Sequence, residues 1–204
     1  MTSTSSNQAE ARRELRKQLR AERRKLSAKM REQAARRIAL TLQRRFYLHP
    51  GMRVSVYSPL FGELDIAPFV VIARRHGCEI FLPVLTDRRR KRMRFYAATG
   101  RMRRNWMGIL EPEMGRSVPA RMLNLVITPL VGFDATGMRL GMGAGYFDRG
   151  FAYRRLRQFW RGPRMVGVGF AMQRLPKITA APHDVRLDAI VTEEGVIECR
   201  STGS

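Results

Sequence analysis

The sequence predicts a single-domain α/β fold: a mostly parallel sheet, mixed at an edge and flanked by helices in a Rossmann-like three-layer architecture, with two N-terminal helices. Three observations carry this. Short β-branched runs alternate with segments of helical periodicity, two Arg/Leu/Ala-rich stretches precede the first strand, and neither an internal repeat nor a long linker divides the 204 residues.

Ala9–Leu26 has Leu15, Leu19 and Leu26 at three-to-four-residue multiples and predicts the first helix; the Ser-rich residues 1–8 before it read as a flexible segment, so the domain is expected over 9–200. Ser27 is the N-cap expected for a second helix through about Phe46, with Met30, Ala34, Ile38 and Leu42 on one face and Pro50-Gly51 as the stop. Arg53–Ser58 alternates Val54 and Val56 with polar neighbours and reads as a strand, followed by helical periodicity over Ile66–Arg75 and a short strand over Glu79–Pro83. Asn124–Pro129 and Met165–Phe170 are further strands, with a helix predicted from about Phe147 to Trp160 between them. Arg90–Ala97 and Ala189–Cys199 resemble added strands, the latter a hairpin turning at Glu194-Gly195. Asp87–Arg104 is charged enough to be a mobile loop or an exposed hairpin.

Lys and Arg number 39 against 17 Asp and Glu, a net charge of +22 that attracts phosphates and carboxylates and makes nucleic acid a candidate partner. The basic runs at Arg12–Arg24, Arg88–Arg94, Arg101–Arg104 and Arg154–Arg157 are dispersed, without a recognisable reader motif or regular aromatic interleaving, and read as solvated surface. Cys78 and Cys199 match no metal-ligand spacing and read as reduced thiols. No apolar run approaches the roughly 20 residues of a membrane span, and the start carries no hydrophobic leader, so a cytoplasmic protein, monomeric and without a membrane partner, is expected.

Gly137-Met138-Arg139-Leu140-Gly141-Met142-Gly143-Ala144-Gly145-Tyr146-Phe147-Asp148-Arg149 places glycines at alternate positions between a predicted strand and helix, where a bent backbone can turn N–H groups toward a phosphate. It is neither a Walker loop nor a dinucleotide fingerprint, and taken alone the glycines are equally compatible with tight turns. Asp148 is a hard oxygen ligand suited to Mg²⁺ beside phosphates, or a carboxylate favoured at a helix start. His183 in Pro-His-Asp is a general-base candidate, though that tripeptide more often makes a turn with a locally bonded imidazole.

The stretch RLGMGAGYFDRGFA resembles the 5-formyltetrahydrofolate cyclo-ligase family, and RRELR at 12–16, FGELD at 61–65, LVITPLVGFDATG at 125–137 and PHDVRLDAIVTEEG at 182–195 match it in order. The resemblance implies an ATP- and Mg²⁺-dependent enzyme that converts 5-formyltetrahydrofolate, polyglutamylated or not, to 5,10-methenyltetrahydrofolate. It assigns Arg12, Arg16, Arg139, Leu140, Gly141, Met142, Gly143, Ala144, Gly145, Tyr146 and Phe147 to ATP, and Glu63 and Tyr146 to folate. It further makes Tyr146 and Arg139 catalytic and Asp148 and Asp188 metal ligands. Arg12 stands where the family has lysine, and Phe147 where a second tyrosine is common. The rival readings are a basic nucleic-acid-binding protein on the same fold and a nucleotide sensor without turnover.

Overall fold

The computed structural model describes residues 2–60, 62–156 and 162–199. In chain order they form α1 (Thr2–Arg24), α2 (Ala28–Arg45), β1 (Arg53–Ser55), α3 (Ala67–Arg75), β2 (Glu79–Asp87), β3 (Arg92–Ala97), β4 (Met102–Arg104), β5 (Leu110–Pro112) and β6 (Ser117–Val118). There follow β7 (Leu125–Pro129), β8 (Gly132–Phe133), β9 (Arg139–Leu140), α4 (Tyr146–Gly150), β10 (Arg164–Val168), β11 (Ala189–Thr192) and β12 (Gly195–Glu198).

Eight strands share one sheet in the order β12-β11-β10-β7-β1-β2-β3-β6. The five in the middle, β11, β10, β7, β1 and β2, are parallel, whereas at the two ends β12 pairs antiparallel with β11, β3 with β2, and β6 with β3. The sheet is therefore mixed at both edges, not one. A parallel centre must be covered on both faces, and the middle of β7 is correspondingly apolar: Leu125–Ile127 are all at most 1% exposed. On one face Ala34, Ile38 and Leu42 of α2 and Phe69 and Ala73 of α3 pack against Val54, Ile127 and Val166. On the other, Phe81, Phe95, Phe133, Phe151 and Met165 form a second cluster. A third, smaller one joins Leu15 and Leu19 of α1 to Met138 and Leu140 of the β8–β9 hairpin.

Local chemistry explains most boundaries. Ser27 caps α2, its Oγ accepting from the Met30 N–H at 3.2 Å, although Met30 itself is exposed. α1 begins at Thr2 rather than Ala9, since nothing between them is a Pro or Gly that would stop a helix. β2 continues past Pro83 to Asp87 because its outer neighbour is the antiparallel β3, which pairs with it from Phe81 to Asp87. The helix expected over Phe147–Trp160 ends at Gly150, after which Phe151 turns fully into the core and a 3₁₀ turn follows over Ala152–Leu156; the remainder of that expectation lies outside the described residues. The Asp87–Arg104 segment contains the β2–β3 turn and β4, which pairs with β5 as an exposed hairpin. Thr192 pairs with Gly195, so the last hairpin turns at Glu193-Glu194, one residue earlier than expected. Among the described residues no helix is long and apolar enough to cross a membrane.

Candidate active site

The β8–β9 hairpin is the foundation of the site. Buried Asp134 accepts the N–H groups of Thr136 and Met138 and the Thr136 hydroxyl on one oxygen, and the Ile178 N–H at 2.8 Å on the other. This clamp fixes the short turn that delivers Arg139, 7% exposed, beneath the glycine loop. The Arg139 guanidinium donates to the Val185 carbonyl and, at 2.7 Å, to Asp148 Oδ1, which also accepts the Val185 N–H at 3.1 Å. Arg139, Asp148 and Val185 thus lock the glycine loop to the 182–188 segment. Burial lowers the Arg139 pKa, with Asp148 and Asp184 opposing.

In the loop, Gly143 has φ +94° and Gly145 φ +73°, conformations that favour glycine. The N–H groups of Met142–Phe147 meet no acceptor among the described residues. α4 is only five residues long, so these amides, more than a helix dipole, suit the loop to an anion.

Arg12 and Arg16, one turn apart on α1, meet the loop from across the cleft. Arg12 bonds Asp184 Oδ2 at 2.6 Å and the Thr179 carbonyl, and Arg16 Nε bonds the Gly141 carbonyl at 2.8 Å. Burial, then the neighbouring Arg12 and Arg20, lowers the Arg16 pKa, a crowding of cations that an anion would relieve. Burial acts upward on Asp184, but the Arg12 bond and the Ala181 N–H outweigh it and hold the carboxyl below its usual range.

These groups form one end of a cleft whose other end is apolar, lined by Pro83, Leu85, Met93, Met107 and Ile109, with Tyr57 and Glu63 at its side and Tyr146 and Phe147 between. Met107 and Ile109 come from the β4–β5 connection. That hairpin is pinned to β2 by the fully buried Glu111, which accepts from Leu85 N–H at 3.3 Å and Asn105 Nδ2 at 2.9 Å.

Glu63 accepts the Leu60 N–H at 3.0 Å. Burial raises its pKa, opposed by that bond and by Arg23. A raised folded-state value means that Glu63 favours folding fully below the ordinary glutamate pKa, and that this contribution is lost as pH rises through the folded value. Glu63→Gln, which keeps the acceptor, should therefore melt above the wild type at neutral pH and converge with it in acid; a melting-temperature difference independent of pH would contradict this.

Of the residues singled out in sequence, Arg12, Arg16, Glu63, Arg139, Gly141–Asp148 and His183 line this one cleft. Leu140 does not: its side chain is buried against α1 and its carbonyl is held by the Val131 N–H. Asp188 does not line it either; its carboxylate is bracketed by Arg154, at 2.7 and 2.8 Å, and by the Met165 N–H at 2.6 Å. His183 is exposed, 4.0 Å from Asp184. Phe147 stacks on Phe151 with ring centroids 6.0 Å apart, so a second phenol is not what this position requires. Sequence reasoning missed Asp184, Tyr57, Met107 and Ile109; of these only Asp184 had a signal, as the neighbour of His183.

Among the described residues no group of three or more His, Cys, Asp or Glu side chains is placed to hold a metal. Mg²⁺ needs less when phosphates supply its remaining ligands. Asp148 fits that role, since among the described residues its Oδ1 accepts from Arg139 and from the Val185 N–H while Oδ2 accepts no hydrogen bond.

Fold and cleft together define an α/β enzyme with a cationic and an apolar end to one binding site. A profile of the 5-formyltetrahydrofolate cyclo-ligase family matches residues 8–193. The 5-formyltetrahydrofolate cyclo-ligase of Escherichia coli K12 is 35% identical over 151 residues, covering 71% of this chain and 80% of that one. Its Haemophilus influenzae counterpart is 28% identical over 166 residues, covering 79% and 86%. The solved structure of Aquifex aeolicus 5,10-methenyltetrahydrofolate synthetase superposes with a TM-score of 0.77 at 25% identity, covering 95% of each chain. That of the Mycoplasma pneumoniae synthetase gives 0.71 at 22%, covering 89% and 98%, a likeness of fold. The chain belongs to the 5-formyltetrahydrofolate cyclo-ligase family, and it is a ligase.

Proposed function

We propose that the cleft binds ATP at its cationic end and 5-formyltetrahydrofolate at its apolar end, and yields 5,10-methenyltetrahydrofolate, ADP and phosphate. The observation that carries this reading is the two-ended cleft itself: arginines and unengaged loop amides line it together with Tyr146 and the apolar Pro83, Leu85, Met93, Met107 and Ile109. The formyl oxygen attacks the γ-phosphorus, ADP departs, N10 closes on the activated carbon and gives up its proton, and the former formyl oxygen leaves within phosphate.

Such chemistry needs positioned donors on the transferring group more than a nucleophilic side chain. Arg139, Arg16 and the Met142–Gly145 amides hold the phosphates, and Arg12 shares its charge with Asp184. Tyr146 borders the junction where oxygen and phosphorus meet. Glu63 accepts hydrogen bonds from the pterin, and the Met93, Met107 and Ile109 wall excludes water. Asp148 would hold a Mg²⁺ ion, which offsets the charge of the phosphates when bound. The net charge of +22 also favours the anionic glutamate tail, so the KM of longer tails should fall at low salt.

Purified protein with 5-formyltetrahydrofolate and Mg²⁺ should develop methenyl absorbance on addition of ATP and not before. Tight ATP binding without that product would favour the sensor reading instead.

A further inference from the structure

We propose that Lys91, at the end of the β2–β3 turn, is a further phosphate-binding residue, delivered to the glycine loop by that turn. Three observations converge on it. Its Nζ lies 3.9 Å from where a Cβ on Gly145 would stand, so the ammonium is aimed at the loop backbone. Lys91 alone among the non-glycine described residues has a positive φ, +51°, a conformation that a side chain other than Asn or Asp seldom adopts without a reason. It is also half-buried, whereas its neighbours Arg88, Arg89, Arg90 and Arg92 are exposed.

The turn is built to hold this position. The Asp87 carboxylate accepts the Arg90 N–H at 2.7 Å and shapes the chain just before Lys91. Two residues after it, the Met93 side chain packs so closely on Gly150 that a Cβ there would lie 2.5 Å from Met93 Cε. The start of β3 is thereby seated on α4, next to the loop. Among the described residues the ammonium makes no ion pair or hydrogen bond. A half-buried cation beside amides that also lack acceptors is the arrangement an anion completes.

The inference rests on nucleotide binding at this loop, and the test separates the two. Lys91→Gly removes the amine and accommodates the positive φ; Lys91→Asn does the same while keeping a side chain; Lys91→Arg restores a cation. Binding of the non-hydrolysable analogue adenylyl imidodiphosphate, measured by calorimetry, should weaken about ten- to a hundredfold in Lys91→Gly and Lys91→Asn, the size of one charge-assisted bond, and recover substantially in Lys91→Arg. The KM for 5-formyltetrahydrofolate should stay within about twofold, and the melting temperature of Lys91→Gly should not fall. Wild-type protein that fails to bind the analogue would overturn the nucleotide reading and Lys91 with it. Wild-type binding with Lys91→Gly within twofold of it would overturn the role of Lys91 alone.

Discussion

Arg139→Met should lower kcat about a hundred- to a thousandfold at saturating ATP, the effect of removing one preorganised cation from a developing charge. The substitution keeps the buried volume and removes every donor. It also strips Asp148 of its 2.7 Å partner and frees the Val185 carbonyl, so the tie between the glycine loop and the 182–188 segment weakens to the Val185 N–H bond on Asp148. Breaking a buried pair costs about 3–5 kcal/mol; because Asp148 retains some exposure the low end applies, and the melting temperature should fall by about 6–12 °C. Arg139→Lys should recover little, since a single ammonium cannot span the Val185 carbonyl and the Asp148 carboxylate as the planar fork does. Steady-state kinetics of the two variants, read beside their thermal melts, test this; wild-type kcat in Arg139→Met would contradict it.

Gly137→Ala should destabilise the fold by about 4 kcal/mol without touching any group of the cleft. Gly137 has φ +84°, and an added Cβ would stand 2.6 Å from the Leu187 carbonyl oxygen and 2.8 Å from Cys199 Cβ. Backbone movement offers no escape, because the Gly137 carbonyl accepts the Leu187 N–H at 3.0 Å and Asp134 clamps the turn on its other side. A melting temperature lowered by about 8–16 °C is expected, and a loss of less than about 2 °C would show that the turn is not fixed as described.

The sequence was most legible where one local rule decides the outcome. Ser27 at a helix start, the β-branched NLVITP run and the two helices ahead of the first strand all stand where their own chemistry puts them. It was least legible where a distant partner decides. Periodicity over Phe147–Trp160 predicts one helix, yet Phe151 is worth more in the core against Phe95 than on a helical face. Pro83 reads as a strand end, but pairing with β3 carries β2 four residues further. The same division runs through the site. Arg12, Arg16, Glu63, Arg139 and the glycine loop come from three short segments that converge on one cleft. Asp188 sits only four residues from Asp184 in the same segment, yet one carboxylate lies on Arg12 at the cleft and the other on Arg154. Nothing in local spacing distinguishes two such aspartates. The apolar wall of Met107 and Ile109 was likewise hidden, because it depends on Glu111 docking an exposed hairpin onto β2.

The central claim is that the loop and its arginines present a γ-phosphate to the formyl oxygen. The most direct measurement is the fate of that oxygen: 5-formyltetrahydrofolate carrying ¹⁸O in the formyl group, turned over with unlabelled ATP in unlabelled water, followed by mass analysis of the inorganic phosphate. One ¹⁸O atom in each phosphate released is the predicted result. Unlabelled phosphate accompanying methenyl product would contradict the account.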